Sequence, residues 1–206
     1  MKKLIKGLHK FQTEVFPIQK DFFHDLTKGQ NPEILFISCS DSRINPNLVT
    51  SADPGDLFIL RNAGNIIPKY TIASSEAATI EFAVCELNIE HIIICGHSHC
   101  GALTATVQPD NLHNLPSLSH WLKTNVTPTL ELIHKNYSDL TQHTLMSILL
   151  QEHVLQQIEN LKTHPVVNAA IAEHKLTLHA WIYTFEHGDI FSYNTQNGQF
   201  ELIKHF

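Results

Sequence analysis

The stretch Glu33-Ile34-Leu35-Phe36-Ile37-Ser38 is a short apolar run that ends at a polar loop, Cys39-Ser40-Asp41-Ser42-Arg43. A second apolar run, residues 91–96, ends in the same way at His97-Ser98-His99-Cys100-Gly101. Short and nearly continuous apolar runs are typical of parallel strands that are buried on both faces. In open α/β sheets, ligands bind at the carboxyl ends of such strands. The two loops are therefore predicted to meet at one edge of a sheet.

The chain between these two runs carries the signals of a β-α-β unit. A Pro-Gly turn precedes a predicted strand over residues 57–60, which leaves Arg61-Asn62-Ala63-Gly64-Asn65 at the same sheet edge. A helix is predicted over residues 76–87, with Ser74 or Ser75 as its cap. Three loops thus converge on one edge.

The remainder of the chain is predicted to flank the sheet with helices and to extend it. Residues 117–163 favour two or three helices, and residues 165–174 favour one more. Residues 176–184 alternate like a strand, and Gly188-Asp189 turns the chain back into residues 190–193.

An amphipathic helical arm is predicted before the first strand. Residues 4–29 have a helical apolar period that is interrupted at Pro17. The arm must bury its apolar face, either on its own domain or on a neighbouring subunit. We expect a single domain over residues 1–206, with residues 1–30 as a helical arm at a subunit interface.

Composition and charge argue against nucleic-acid-binding, membrane-spanning and disulfide-stabilised classes of protein. The chain has 206 residues and a formal net charge of −6, with 14 Lys plus Arg against 20 Asp plus Glu, so no basic surface for nucleic acid is expected. No apolar run approaches the roughly 18 residues of a membrane-spanning helix. A positive N-terminus without a following apolar stretch predicts a cytoplasmic protein. Four cysteines in such a protein favour thiols or metal ligands over disulfides.

Two thiols and one imidazole at the shared sheet edge predict a metal site. His97 and Cys100 are spaced i, i+3 around a strand-to-helix turn, and Cys39 ends another strand. Thiolate and imidazole are ligands that Zn²⁺ prefers, and three protein ligands leave the fourth tetrahedral position open for chemistry. His99 is the alternative histidine ligand, but it is expected to lie in the first turn of the following helix.

Asp41 and Arg43 are candidates for a catalytic pair beside the metal. Asp41 can accept a hydrogen bond from a water on the metal, or it can occupy the open position itself. A guanidinium forms a bidentate pair with a carboxylate, so Arg43 would hold Asp41 off the metal and lower its pKa. A purely structural ion pair is the alternative interpretation.

The segments Cys39–Arg43, Arg61–Asn65 and 96–101 resemble the signature segments of the β-class carbonic anhydrases. The resemblance is close over residues 30–107 and looser over 178–183. It implies a mostly parallel α/β sheet of four strands plus an antiparallel fifth strand, flanked by helices. It also implies homodimers or homotetramers and the reversible hydration of carbon dioxide to bicarbonate and a proton, through a zinc-bound hydroxide.

By the same resemblance, one Zn²⁺ per subunit is bound by Cys39, His97 and Cys100, and Asp41 and Arg43 form the catalytic pair.

Three substrate-binding residues follow from the resemblance alone. Gln30 matches an amide that reaches the substrate across a dimer interface, Phe58 matches an apolar wall residue, and Gly101 matches a backbone N–H donor. Members regulated by bicarbonate carry tryptophan where this chain has Phe36, although Arg61 and Tyr183 fit the rest of that pocket. The departure at Phe36 favours the always-open form.

Other candidate residues are predicted to be structural. Cys85 and Cys95 lie in apolar patterns and are expected in the core. Most of the remaining histidines are expected to be solvated, and one of them could relay the product proton. Trp121 and Trp181 are expected to pack.

Two other functions remain open at this stage. One is hydrolysis of another small heterocumulene, such as carbon disulfide, and the other is a non-catalytic zinc-bearing protein that binds bicarbonate or serves as a scaffold.

Overall fold

The computed structural model describes residues 1–204, apart from the side chain of Asn111, and within them six strands form one mixed sheet. The strands are β1 (Ile34–Cys39), β2 (Leu57–Asn62), β3 (His91–His97), β4 (Thr177–Tyr183), β5 (Ile190–Asn194) and β6 (Gln199–Leu202). Their order across the sheet is β2-β1-β3-β4-β5-β6. The first four strands pair in parallel, whereas the β4–β5 and β5–β6 pairs are antiparallel.

The predicted α/β fold with four parallel strands and an antiparallel fifth strand is confirmed, but the prediction missed β6. This strand has only four residues, which is too short to establish a repeat in the sequence. Three of its four residues are exposed, and backbone pairing with β5 holds it at the sheet edge.

The described part of the chain also contains nine α-helices, of which the last seven belong to the same compact unit as the sheet. They are α1 (Lys2–Lys10), α2 (Lys20–Leu26), α3 (Pro46–Thr50), α4 (Ser75–Cys85), α5 (Gly101–Val107), α6 (Pro116–Asn125), α7 (Thr127–Asn136), α8 (Gln142–Lys162) and α9 (Pro165–Ala172). A π-helical turn spans Phe11–Val15, and a 3₁₀ turn spans Pro109–Leu112. The cap of α4 is Ser74, whose Oγ accepts a hydrogen bond from the Ala77 N–H at 3.0 Å.

The central strands are buried on both faces, as their apolar runs predict. Leu35 and Ile37 of β1 point to one face and are fully buried in a cluster that includes Ile80 of α4 and Val154 of α8. Phe36 belongs to a second cluster on the opposite face. Backbone pairing places β1 and β3 side by side, and burial of both faces holds them there. Their carboxyl ends therefore lie together.

The contacts divide the chain into two compact units, Met1–Asn31 and the part that begins at Pro32. The first unit contains α1, the π-helical turn and α2, and the rings of Phe11, Phe16 and Phe23 pack together within it. The predicted helical arm is therefore present. A single domain over residues 1–206, with the arm at a subunit interface, stays a prediction.

No helix in the described residues combines the length and the apolar character that crossing a membrane requires.

Candidate metal centre

Three donor atoms converge where β1 and β3 end. Cys39 is the last residue of β1, His97 is the last residue of β3, and Cys100 is the residue before α5. Their ligand atoms lie within 4.8 Å of one another, and all three residues are buried. The two strands are parallel neighbours, so the fold itself brings the side chains together.

The spacing of the two sulfur atoms fits a tetrahedral zinc ion. Cys39 Sγ and Cys100 Sγ are 3.9 Å apart. Two sulfurs that each lie about 2.3 Å from zinc at a tetrahedral angle are roughly 3.8 Å apart. The donor set and its geometry therefore fit Zn²⁺.

His97 presents the ring nitrogen that a metal needs. Its Nδ1 lies 2.8 Å from the Ser98 carbonyl oxygen and must donate a proton to it. This tautomer leaves a lone pair on Nε2, which has no hydrogen-bond partner among the residues that the structure describes. A metal-binding histidine is usually held in this way by its second nitrogen.

The two cysteine thiols of the cluster shift each other's pKa in opposite directions. The Cys100 hydrogen bond lowers the pKa of Cys39 to about 4, against the opposing effect of burial. The same contact raises the pKa of Cys100 far above its ordinary value. Two adjacent buried thiols cannot both ionise at low cost, but a divalent cation between them removes this conflict. The cluster is thus chemically suited to bind a cation.

Asp41 lies beside the cluster and is held by Arg43. Arg43 Nε donates to Asp41 Oδ1 at 2.9 Å, and its terminal nitrogen donates to Oδ2 at 2.7 Å. These bonds hold the pKa of Asp41 well below its usual range. Asp41 Oδ2 is also 4.0 Å from His97 Nε2, so an ionised acceptor faces the metal centre.

Arg43 is itself positioned by two further contacts. Its terminal nitrogen donates to the His99 carbonyl at 2.9 Å, and its guanidinium lies 4.8 Å from the centre of the Phe185 ring. The first contact ties the Asp41 loop to the loop that carries Cys100, and the second ties it to the segment after β4.

Arg61 stabilises the backbone of the first loop. Its Nε donates to the Cys39 carbonyl, and its terminal nitrogen donates to the carbonyls of Asp41 and Ile44. The sequence placed Arg61 at the correct edge but could not show that its partners are backbone oxygens.

The three candidate substrate residues occupy different places. Gly101 is the first residue of α5, directly after Cys100. Phe58 pairs with Leu35 near the start of β2, and its ring packs against Phe82, so within this chain it is not at the metal end of the strand. Gln30 is exposed and belongs to the first unit, Met1–Asn31.

Several structural expectations need correction. Cys85 is exposed, because it lies on the outer side of the last turn of α4, whereas Cys95 is fully buried as predicted. His99 precedes α5 instead of lying in its first turn, and its positive φ of 53° directs it to the surface, where it pairs with Glu186.

Most of the remaining histidines are exposed, as predicted, but His153 and His164 are buried. Their partners are backbone carbonyls of a distant loop, which no pattern of ligand spacing could indicate.

Comparison with known proteins shows the family of this chain. A sequence model of the family described as "Carbonic anhydrase" matches residues 34–190. A carbonic anhydrase of Synechococcus elongatus is 46% identical over 192 residues, which cover 92% of this chain and 70% of that protein.

Solved structures show the same similarity. The β-carbonic anhydrase CcaA matches with a TM-score of 0.94 and 42% identity, over 98% of this chain and 99% of that chain. A tetrameric β-carbonic anhydrase of Sordaria macrospora matches with a TM-score of 0.80 and 28% identity, over 93% and 95% of the two chains. The class of protein is thus a mixed α/β fold with a Cys₂His cluster at the sheet edge that could hold a metal ion. This chain belongs to the carbonic anhydrase family, in its β class.

Proposed function

We propose that this protein is a zinc enzyme that catalyses the reversible hydration of carbon dioxide to bicarbonate and a proton. The observation that carries the proposal is the convergence of Cys39 Sγ, His97 Nε2 and Cys100 Sγ beside a carboxylate that Arg43 holds in place. The proposal includes one Zn²⁺ per chain, bound by these three side chains.

The three side chains leave one tetrahedral position for a water molecule. Zinc, when bound, lowers the pKa of such a water towards neutrality and so supplies a nucleophile for carbon dioxide. Asp41 would accept a hydrogen bond from this water, because Arg43 keeps the carboxylate ionised and in a fixed orientation. Asp41 is thus an orienting acceptor and not the final base for the proton.

The substrate side of the proposal involves three further residues. Gly101 opens α5 and has a backbone N–H without an intrahelical partner, which suits a bicarbonate oxygen. Gln30 and Phe58 would act in a neighbouring subunit's site.

The tetrameric description of the Sordaria macrospora proteins supports a homodimer or homotetramer. A cytoplasmic location agrees with four cysteines that are all free.

Stopped-flow measurement of proton release after mixing with carbon dioxide tests the function. The zinc-loaded protein should accelerate hydration between pH 7 and pH 9, and Cys39→Ser should abolish both zinc binding and activity. Cys85→Ser is the matched control, because Cys85 is an exposed thiol outside the cluster. No rate above buffer, with one zinc per chain, would refute the proposal.

The same preparation separates the two alternative functions. Hydrogen sulfide release from carbon disulfide without carbon dioxide hydration would favour the heterocumulene hydrolase. Bicarbonate binding without turnover of either substrate would favour the scaffold.

Dilution tests the subunit-crossing role of Gln30. A verified monomer should lose carbon dioxide hydration while it keeps zinc, and Gln30→Ala should lower activity in the oligomer without changing zinc content. Full activity of the monomer would exclude the role.

A further inference from the structure

Gly64 places a backbone N–H on one of the two sulfurs of the metal centre. The Gly64 N–H donates to Cys39 Sγ at a nitrogen–sulfur distance of 3.3 Å. Gly64 has a φ of +89°, and a Cβ at this position would lie 3.1 Å from Ala102 Cβ. Only glycine therefore allows this close approach, and the amide is built into the site.

The peptide that carries this N–H is held from its other side by Trp121. Trp121 Nε1 on α6 donates to the Ala63 carbonyl oxygen at 2.9 Å. The Ala63 carbonyl and the Gly64 N–H belong to one planar peptide, so fixing the oxygen also fixes the direction of the N–H. A donor at the oxygen further polarises the peptide and strengthens the N–H···S bond.

His153 holds the next peptide in the same loop. Its Nε2 lies 2.8 Å from the Gly64 carbonyl oxygen, and its side chain is fully buried in α8. Burying an imidazole in a core is costly unless its nitrogens form hydrogen bonds. The Gly64 carbonyl provides the bond for one of the two nitrogens of His153.

The tautomer of His153 follows from its neighbours. The Ile67 N–H donates to Gln157 Oε1 at 2.8 Å, which turns the Gln157 amide nitrogen towards His153 Nδ1 at 3.3 Å. Nδ1 must therefore accept, and the proton is on Nε2, where it is donated to the Gly64 carbonyl. Burial also lowers the pKa of His153 to about 4, which keeps this imidazole neutral.

We propose that Trp121 and His153 are positioning residues for the metal centre, which hold the Gly64 N–H on Cys39 Sγ and thereby set the affinity of the site for zinc. This inference rests on the zinc site of the proposed function. Two helices outside the sheet, α6 and α8, thus support one metal ligand through two consecutive peptides. Such outer partners typically change metal affinity 10–100-fold when they are removed.

Four variants, each followed by two measurements, test the proposal. Trp121→Phe removes the indole N–H but keeps an aromatic ring, and His153→Leu removes the imidazole. His153→Gln is the conservative variant, because its amide nitrogen can still donate to the Gly64 carbonyl. Trp181→Phe is the matched indole control, since Trp181 packs against Phe36 in a different cluster.

The readouts are the zinc dissociation constant, from competition with a chelator, and the thiolate-to-cobalt charge-transfer band of the Co²⁺-substituted protein. Trp121→Phe and His153→Leu should weaken zinc binding about tenfold and move the band to longer wavelength, because the Cys39 sulfur loses part of its hydrogen bond. His153→Gln and Trp181→Phe should keep the zinc affinity and the band position of the wild type, because both variants leave the N–H···S bond in place.

A merely structural role would lower the melting temperature without moving the charge-transfer band. Wild-type affinity and an unshifted band in both Trp121→Phe and His153→Leu would overturn the inference while the proposed function stands. If no protein, including the wild type, binds zinc, the proposed function fails and the inference fails with it.

Discussion

The Asp41 carboxylate is bonded at both of its oxygens by the Arg43 side chain, and it nevertheless lies 4.0 Å from His97 Nε2. This relationship supports the orienting role over the ligand role, the two roles that the sequence left open for Asp41. A bidentate guanidinium fixes the direction of a carboxylate, so we predict that Asp41 orients a fourth ligand of the metal and does not become that ligand.

Arg43→Lys tests whether Asp41 needs the bidentate geometry of the guanidinium or only its positive charge. Lysine keeps a positive charge but cannot form the bidentate pair, so Asp41 loses its fixed orientation. Carbon dioxide hydration is expected to fall at least about tenfold, the size of a lost outer-shell contact, with zinc content unchanged. Arg43 is half exposed, so the melting temperature should stay near that of the wild type. An unaltered rate would show that the pair is only structural.

The pH dependence of that variant has a definite sign. Hydrogen bonds from Arg43 lower the pKa of Asp41, so the carboxylate stays ionised to unusually low pH in the wild type. Weakening the pair raises this pKa back towards the ordinary aspartate value of 3.8. Carboxyl-carbon NMR titration of the two metal-free proteins from pH 2 to pH 6 measures this shift, and a lower pKa in the variant than in the wild type would contradict this role of Arg43.

Gly101 can be tested as a backbone donor by two exchanges. Proline fits the first position of a helix but has no N–H, and the residue before it, Cys100, already has the extended conformation that proline requires (φ −63°, ψ 117°). Gly101→Pro should lower carbon dioxide hydration with zinc retained. Gly101→Ala is the control, because a Cβ at this position meets open space and the N–H is kept. Equal activity of the two variants would exclude the donor role.

Gly96 is predicted to be a packing glycine. A Cβ at this position would lie 2.5 Å from Val154 Cγ2 and 2.9 Å from Leu150 Cδ1, both on α8. Gly96→Ala should lower the free energy of unfolding by about 1–3 kcal/mol, the usual effect of overpacking a core. Urea unfolding measures the change, with Gly101→Ala again as the control, and an unchanged midpoint would contradict this packing.

His153 should make the folded state sensitive to acid. Its pKa is lowered by burial from 6.5 to about 4, so the unfolded chain binds the proton more readily than the folded chain. This contribution to stability is complete above about pH 6.5 and is lost as the pH falls towards 4, with a total of about 3 kcal/mol. His153→Gln lacks this titration and keeps the Gly64 contact.

Urea unfolding of both proteins from pH 4 to pH 8, with excess chelator to remove the effect of zinc release, measures this difference. The wild type should lose more stability on acidification than His153→Gln. Parallel curves would show that His153 does not titrate between these limits.

The sequence predicted the parts of the fold that depend on local patterns. The apolar runs of β1 and β3 are unbroken because both faces are buried, and this property also predicts that their carboxyl ends meet. The cluster of Cys39, His97 and Cys100 follows from that topology and from the preferences of zinc.

The sequence could not predict what depends on distant partners. Trp121 and His153 contact the loop after β2 from helices that begin more than 50 residues later, and their partners are backbone atoms without a residue-specific signal. Cys85 was misplaced because α4 is apolar on more than one side, so its period does not identify the exposed face. β6 is too short to show an alternation.

The most direct test of the account is a crystal structure of the zinc-loaded protein at neutral pH, with anomalous diffraction at the zinc edge. We expect one zinc site per chain, about 2.0–2.3 Å from Cys39 Sγ, His97 Nε2 and Cys100 Sγ, with Asp41 still paired to Arg43 and a non-protein fourth ligand. A zinc ion at another position, or an Asp41 oxygen as the fourth ligand, would contradict it.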